Sequence, residues 1–471
     1  MGFLATADID AIDRSARGVL EQVGVRIDDP ATLDALGQAG AAIDRQTGRA
    51  RLGRPWLDDR LGTAPERFVL HGRDRTHDLQ LGQGRVHFGN GGRVFRVRDI
   101  DSGEFRPTGM RDVAAIATLV EHLEQIDFFI IPCQAEDLAA AQYHANEFWL
   151  ACNHTAKHVM GGCGDLRGVE QIWRLGGLLA GSTEAFAAAP FLSVITNTVS
   201  PLIFNADVLR IMRFCCQIGL PLTCAPAPIA GATAPATLAG ALTQQHAESL
   251  AAVAIAQVFQ PGAPILYGAV LSSMDLRHMD FCLGAAEMAI MNAAAVQLAK
   301  RSRLPIYASA GVSDAKTPDV QAGMEKALSQ LLVAQAGGDA IHLAAGMLDS
   351  GNSVAYEQYL IDDELIGMVR RCLAGVRVDE QTLAQEVIAR VGPGGNYVTE
   401  DHTVEHMFDE FFFPRLAVRS NLDVWSAGGR QGMGDRARQL ARELLAQHAS
   451  TLLAAERRAA VEAAFAGIVT L

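Results

Sequence analysis

From residue 126 onward the chain alternates between two hydrophobic patterns. Continuous apolar runs occupy 126–133, 156–162, 191–198, 221–226, 264–271, 304–310 and 340–345, and stretches with helical spacing, such as 238–259 and 284–299, separate them. A strand that is apolar at successive positions is buried on both faces, and strands that alternate with helices pair in parallel. The expected fold class is therefore α/β, an (α/β)8 TIM barrel. Seven runs leave one strand unaccounted for, and 86–89 or 94–97 is the candidate.

The two ends read differently. Residues 8–24 and 30–40 have helical spacing, with Gly24 and Gly40 as stops and Pro30 as a start. Short β segments broken by glycine fill 67–106. After residue 375 the strand rhythm stops; 379–390 reads as a helix with Asp379 as N-cap, and 433–468 is largely helical. The expected organisation is an N-terminal α+β cap over 1–110, a catalytic barrel over 111–375, and a helical extension over 376–471 packed on the barrel.

A barrel gathers the loops that follow its strands on one rim, where active sites form. The most distinctive stretch, 307–371, supplies two such loops, in SAGVSDAKTP and AAGMLDSGNSVAYEQY. They offer Asp314, Lys316, Asp349 and Ser350, with His342 inside the strand between them. Other runs bring Gln134, Glu136, Lys157, His158, Asn197, Ser200 and Asp275 to candidate rim positions. His342 has two readings: a core histidine bonded to a backbone carbonyl, or an inward ligand for a polar substrate group. Asp314 and Lys316 are either a surface pair or working groups, with Lys316 a Schiff-base nucleophile if desolvated.

Charge and composition narrow the function. A net charge of −13 argues against a nucleic-acid partner. No run reaches the length of a membrane span, and the acidic N-terminal stretch lacks a signal-peptide pattern, so a cytoplasmic protein is expected. The eight cysteines include no C-x-x-C pair and read as reduced, buried side chains. His402 and His406, four apart, would share a helix face, but HTVEH lacks the glutamate of H-E-x-x-H. No metal site is expected. A D-x-H-x-x-G corrinoid signature is absent; Asp339 and His342 approach it with the wrong spacing.

Several blocks carry a family resemblance. GVSDAKTPDVQAGMEKA and HLAAGMLDSGNSVAYEQYLIDDELIGMV resemble the trimethylamine methyltransferase family, including its non-pyrrolysine, glycine betaine methyltransferase-like branch. VLEQVGVRIDDPATLDALGQAGA, SPL at 200–202, PATLAGAL and VGPGGNYVTEDHT are similar too, so the resemblance covers nearly the whole chain. It implies an (α/β)8 barrel that passes a methyl group from a methylated amine to the cobalt of a separate corrinoid protein. Founding members carry pyrrolysine at a place that corresponds to 310–313, where this chain has ordinary residues.

That difference implies a quaternary amine, glycine betaine or a relative, because its methyl group already sits on a good leaving group and needs no covalent adduct. Catalysis would then be by positioning. Asp314, Lys316 and His342 are the expected catalytic residues. Aromatic faces suit a cation without hydrogen-bond donors, so Phe95, Tyr267, Tyr307 and Tyr356 are expected around it, with Asp349 adding charge. His342, Arg277, Lys316 or Arg93 would hold a betaine carboxylate. The expected partners are a cognate corrinoid protein and a second copy of the chain in a homo-oligomer. Two alternatives stay open: a Lys-dependent aldolase or lyase using Lys157 or Lys316, and a non-catalytic binder of quaternary amines.

Overall fold

The computed structural model describes residues 2–135, 137–447 and 451–470. Eight parallel strands close into a barrel in sequence order: β1 (His87–Asn90), β2 (Phe128–Ile130), β3 (His158–Gly162), β4 (Leu192–Thr196), β5 (Leu222–Cys224), β6 (Ile265–Ala269), β7 (Ile306–Ser309) and β8 (Ala340–Ala345). Their main helices are α1 (Met110–Glu121), α2 (Ala140–His154), α3 (Leu166–Ala180), α4 (Ala206–Ile218), α5 (Leu238–Phe259), α6 (Ala286–Arg301), α7 (Val320–Ala336) and α8 (Tyr356–Ala374). The strand missing from the periodic pattern is β1, so the barrel begins inside the segment expected to be the cap. The other candidate, 94–97, overlaps Arg96–Arg98, which lies outside the barrel and pairs with Ser353–Ala355.

The barrel interior is layered, as in other closed eight-stranded barrels. At the N-terminal end of the strands, Leu70, Leu79 and Leu81 of the hairpin Phe68–Leu70/Leu79–Leu81 join Phe128, Ile130, Met160, Leu266 and Tyr307 in one apolar cluster. That hairpin plugs the end. Polar pairs also reach the interior: His158 Nε2 lies 2.7 Å from Ser193 Oγ, and His342 Nε2 lies 2.6 Å from Ser309 Oγ. A second, larger core joins the outward faces of the strands to the helices.

The N-terminal helix Thr6–Gln22 packs on α5. Strands Val25–Ile27, Arg49–Arg51 and Ala42–Asp44 form a small sheet that is extended by Ile203–Phe204 from the loop after β4. At the other end, helix Met433–Gln447 packs on α8 and α1, and Ala455–Ala464 packs on α3. The helix expected over 379–390 is two helices, Glu380–Leu383 and Gln385–Val391, because Ala384 adopts a left-handed conformation (φ 49°). Asp379 does cap the first, accepting from the Thr382 amide.

Candidate functional site

The rim at the C-terminal ends of the strands has two contrasting halves. On the β1–β4 side lies a cavity of about 980 Å3, lined by Arg93, Phe95, Gln134, Tyr143, His144, Cys163, Asn197 and Asp207, among others. Arg93 organises its wall. The guanidinium donates to Glu147 Oε2 (2.6 Å), to the Gly162 carbonyl (2.8 Å) and to Gln134 Oε1 (3.2 Å), and its carbon sits 5.0 Å from the centre of the Tyr143 ring. Glu147 is fully buried, and its other oxygen, Oε1, has no hydrogen-bond partner. A buried carboxylate demands a cation, which fixes Arg93 against the wall. Phe95 is about half exposed, from the loop after β1.

On the β7–β8 side the loops close on themselves. Asp314 accepts from the Leu283 amide (2.9 Å) and from Ser350 Oγ (2.8 Å). The Asp349 amide bonds to the Ala315 carbonyl and the Ser350 amide to that of Ser313. Lys316 Nζ lies 2.8 Å from Asp349 Oδ1, and that contact raises the lysine above its ordinary pKa. Below this surface lies a fully buried ion pair, Lys326 with Asp362 at 3.0 Å. Lys326 also donates to the Gly311 carbonyl (2.6 Å), and Asp362 accepts from the Gly346 amide (2.8 Å). Both glycines have φ near +86°, and a Cβ on Gly346 would strike the Tyr359 ring. The pair therefore pins one glycine turn of each loop.

Several expected site residues face elsewhere. Tyr267 points outward from β6, with its hydroxyl bonded to His246 Nδ1 (2.8 Å) and Gln245 Oε1 (3.2 Å) on α5. Tyr356 opens α8, and its hydroxyl donates to Asp112 Oδ1 (2.5 Å) on α1. Tyr307 does face the barrel interior, but it is buried and stacked on His342, with ring centres 3.9 Å apart. Burial of that histidine lowers its pKa to about 3, which keeps the imidazole neutral. Neither residue lines the cavity. Arg277 is mostly exposed and turned back on Asp275. The expected four-ring aromatic cage thus does not assemble: Phe95 is the member at the cavity. Asp314, Lys316 and Asp349 do come together, in a cluster separate from His342.

Lys157 and His158 sit at the start of β3, on the opposite end of the barrel from the rim. Lys157 Nζ donates to the carbonyls of Val120, Leu123 and Ile126 at 2.6–2.7 Å, which makes it a cap for the end of α1. Burial lowers its pKa to about 8, but the three bonds occupy the amine. This removes it as a Schiff-base nucleophile, and the exposed, acid-paired Lys316 is not desolvated either. Ser200 Oγ, Thr198 Oγ1 and the Leu202 amide all bond to the buried Glu248, so that loop is held from behind. Glu136 lies outside the described residues. Sequence reasoning missed Tyr143, His144 and Glu147. The signal available was their i, i+1, i+4 spacing, which places Tyr143 and Glu147 on one face of α2. The rings of His402 and His406 are 4.4 Å apart, and among the described residues no group of three or more His, Cys, Asp or Glu side chains forms a metal-ligand set. No described helix is long and apolar enough to cross a membrane.

A family model described as trimethylamine methyltransferase (MTTB) matches residues 1–467. The trimethylamine methyltransferase MttB of Desulfitobacterium hafniense is 32% identical over 93% of this chain and 88% of its own length. That of Methanosarcina barkeri is 30% identical over 97% of this chain and 93% of its own. A glycine betaine methyltransferase from another Desulfitobacterium hafniense strain is 27% identical over 90% of this chain and 88% of its own. Among solved structures, the Methanosarcina barkeri monomethylamine methyltransferase superposes with a TM-score of 0.55 at 12% identity, covering 95% of this chain and 89% of that one. That likeness concerns the barrel fold.

Proposed function

This chain belongs to the trimethylamine methyltransferase family, and on that premise we propose that it moves a methyl group from a quaternary amine, a betaine, to a corrinoid carried by a separate protein. The observation that carries the reading is the stretch 310–313. Ala310, Gly311, Val312 and Ser313 are buried, and Gly311 and Ser313 are tied to α7 through Ser329 and Glu325. None offers an electrophile that could capture an amine. The substrate must then bring its own leaving group, as a quaternary ammonium does.

In this reading the reduced corrinoid supplies the nucleophile, and the chain supplies position. Arg93 offers its guanidinium to the betaine carboxylate in the charge-assisted geometry that arginine favours. Phe95, and the Tyr143 ring under Arg93, give the methylated head apolar and π surface. Glu147 keeps Arg93 oriented from behind. The 980 Å3 cavity opens on the rim, the side from which a carrier protein would approach.

The experiment is methyl transfer to a reduced cognate corrinoid protein, followed by absorbance with a panel of betaines. Transfer from at least one betaine and none from trimethylamine is the expected result. No transfer from any quaternary amine, together with no betaine binding by calorimetry, would end the proposal. Binding without transfer would favour the non-catalytic alternative.

A further inference from the structure

Among the described residues that line the 980 Å3 cavity, Arg93 is the one arginine or lysine and Asp207 the one carboxylate. The two come from different walls. The Arg93 guanidinium ends on the Gly162 carbonyl of β3, and Gly162 pairs with Ile195 of the neighbouring β4. Asp207 lies beyond β4, in the first turn of α4, which Asn205 caps by accepting from the Val208 amide (2.9 Å). The N-terminal turn of a helix favours negative charge. Asp207 and Ile211 are four apart and share one face of α4. Ile211, Val208 and Ile195 line the cavity with Asp207, so the acid stands in an apolar margin.

Asp207 is also the uncommitted acid of the rim. Its side chain is 62% exposed, and its ion pair with Arg210 is loose, at 3.4 Å. Arg210 is itself half exposed and also faces Asp29 at 3.7 Å, so it is divided between two carboxylates. Other acids near the rim have fixed partners: Glu147 holds Arg93, Asp314 holds Ser350 and the Leu283 amide, and Asp349 holds Lys316. Asp349, the acid expected beside a substrate cation, belongs to the closed half of the rim and does not line the cavity.

We propose that Asp207 is the counter-charge for the quaternary ammonium, so that the cavity reads a zwitterion: carboxylate toward Arg93 at β3, methylated nitrogen toward Asp207 on α4. The inference rests on the betaine reading and assigns its second charge. A quaternary ammonium has no N–H to donate, so an acid holds it through its field, without a fixed hydrogen-bond geometry. Ile195, Val208 and Ile211 supply apolar surface for the methyl groups. A simple quaternary cation leaves Arg93 without a partner, and a carboxylate with an uncharged head leaves Asp207 without one. Asp207 is therefore the residue that separates a betaine from an acid of the same shape.

Calorimetry of the full chain tests this with two probes of one shape: glycine betaine, and 3,3-dimethylbutanoate, in which carbon replaces the charged nitrogen. The native protein is expected to bind the betaine about tenfold more tightly, the scale of one charge pair near a protein surface. Asp207→Asn should abolish that preference and leave the affinity for 3,3-dimethylbutanoate as it was. Arg210→Gln breaks the same ion pair from its other end and should keep the preference. Asp280→Asn, at an exposed acid outside the cavity lining, controls for net charge and should keep it too. Equal binding of the two probes by the native protein, or a preference that survives Asp207→Asn, overturns the inference and leaves the betaine reading standing. Loss of the preference in Arg210→Gln or Asp280→Asn also overturns it, since Asp207 would then be a brace of α4 or one part of a general field. Binding of neither probe removes the betaine reading itself, and this inference with it.

Discussion

The two halves of the rim are built on opposite plans. Around β7 and β8 the loops spend their polar groups on one another: Asp314 on Ser350, Lys316 on Asp349, and Lys326 and Asp362 on two glycine turns. Around β1–β4 the wall is left open, with a partly exposed Arg93, an exposed phenylalanine, and a buried carboxylate with one oxygen unpaired. The first half is the most distinctive stretch of the sequence, yet what makes it distinctive is the residues needed to fold two tight turns. The second half, which offers room for a ligand, is assembled from segments that look ordinary along the chain. A memorable motif can be a frame, and the surface it frames can be plain.

The largest effect should come from the frame. Lys326→Met leaves the fully buried Asp362 without its cation, and removing one partner of such a pair costs about 3–5 kcal/mol. Chemical denaturation would measure it, and a loss below about 1 kcal/mol would show that the loops do not depend on the pair. Next comes the open wall. Arg93→Met strands Glu147 and should destabilise the fold by roughly 1.5–3 kcal/mol, the range for a hydrogen bond to a charged group. Adding Glu147→Gln should recover much of that stability without recovering betaine affinity by calorimetry. Recovery of both would make Arg93 a structural residue, and the contrast between the halves would collapse.

The buried imidazoles give a pH test. Burial lowers His342 to about 3 and His158 to about 4, below the unfolded value of about 6.5. In that window the unfolded chain binds more protons than the folded one, so stability is complete above about 6.5 and falls as pH drops. Each histidine contributes a slope of about 1.4 kcal/mol per pH unit. Denaturation at several pH values should show His342→Gln removing one such slope; an unchanged slope would mean that the ring is not held neutral. The smallest effect belongs to the exposed pair. Lys316→Met should change stability by less than about 1 kcal/mol, since a side chain 63% exposed gains little from its partner. A larger loss would place Lys316 within the frame.

The barrel itself was legible because continuous apolar runs are hard to read otherwise. β1 was hard to see because HFGN is short, carries a glycine and mixes polar with apolar side chains. The same continuity that reveals buried strands conceals their orientation. In 264–271 both faces are apolar, so nothing along the chain says that Leu266 faces the interior and Tyr267 faces α5. Tyr356 was misplaced for a related reason: its position beside the rim is evident, but the pull of Asp112 on another helix is not. Arg93 was recognisable as a carboxylate donor. Its carboxylate, Glu147, lies 54 residues away and meets it only through the closure of the barrel.

The hairpin that plugs the N-terminal end of the barrel has a consequence for folding. Leu70, Leu79 and Leu81 precede β1 in the chain, yet they pack against side chains of β2, β3, β6 and β7. The stopper therefore finds its seat only when strands far along the sequence have come together, and contacts of such separation are slow to form.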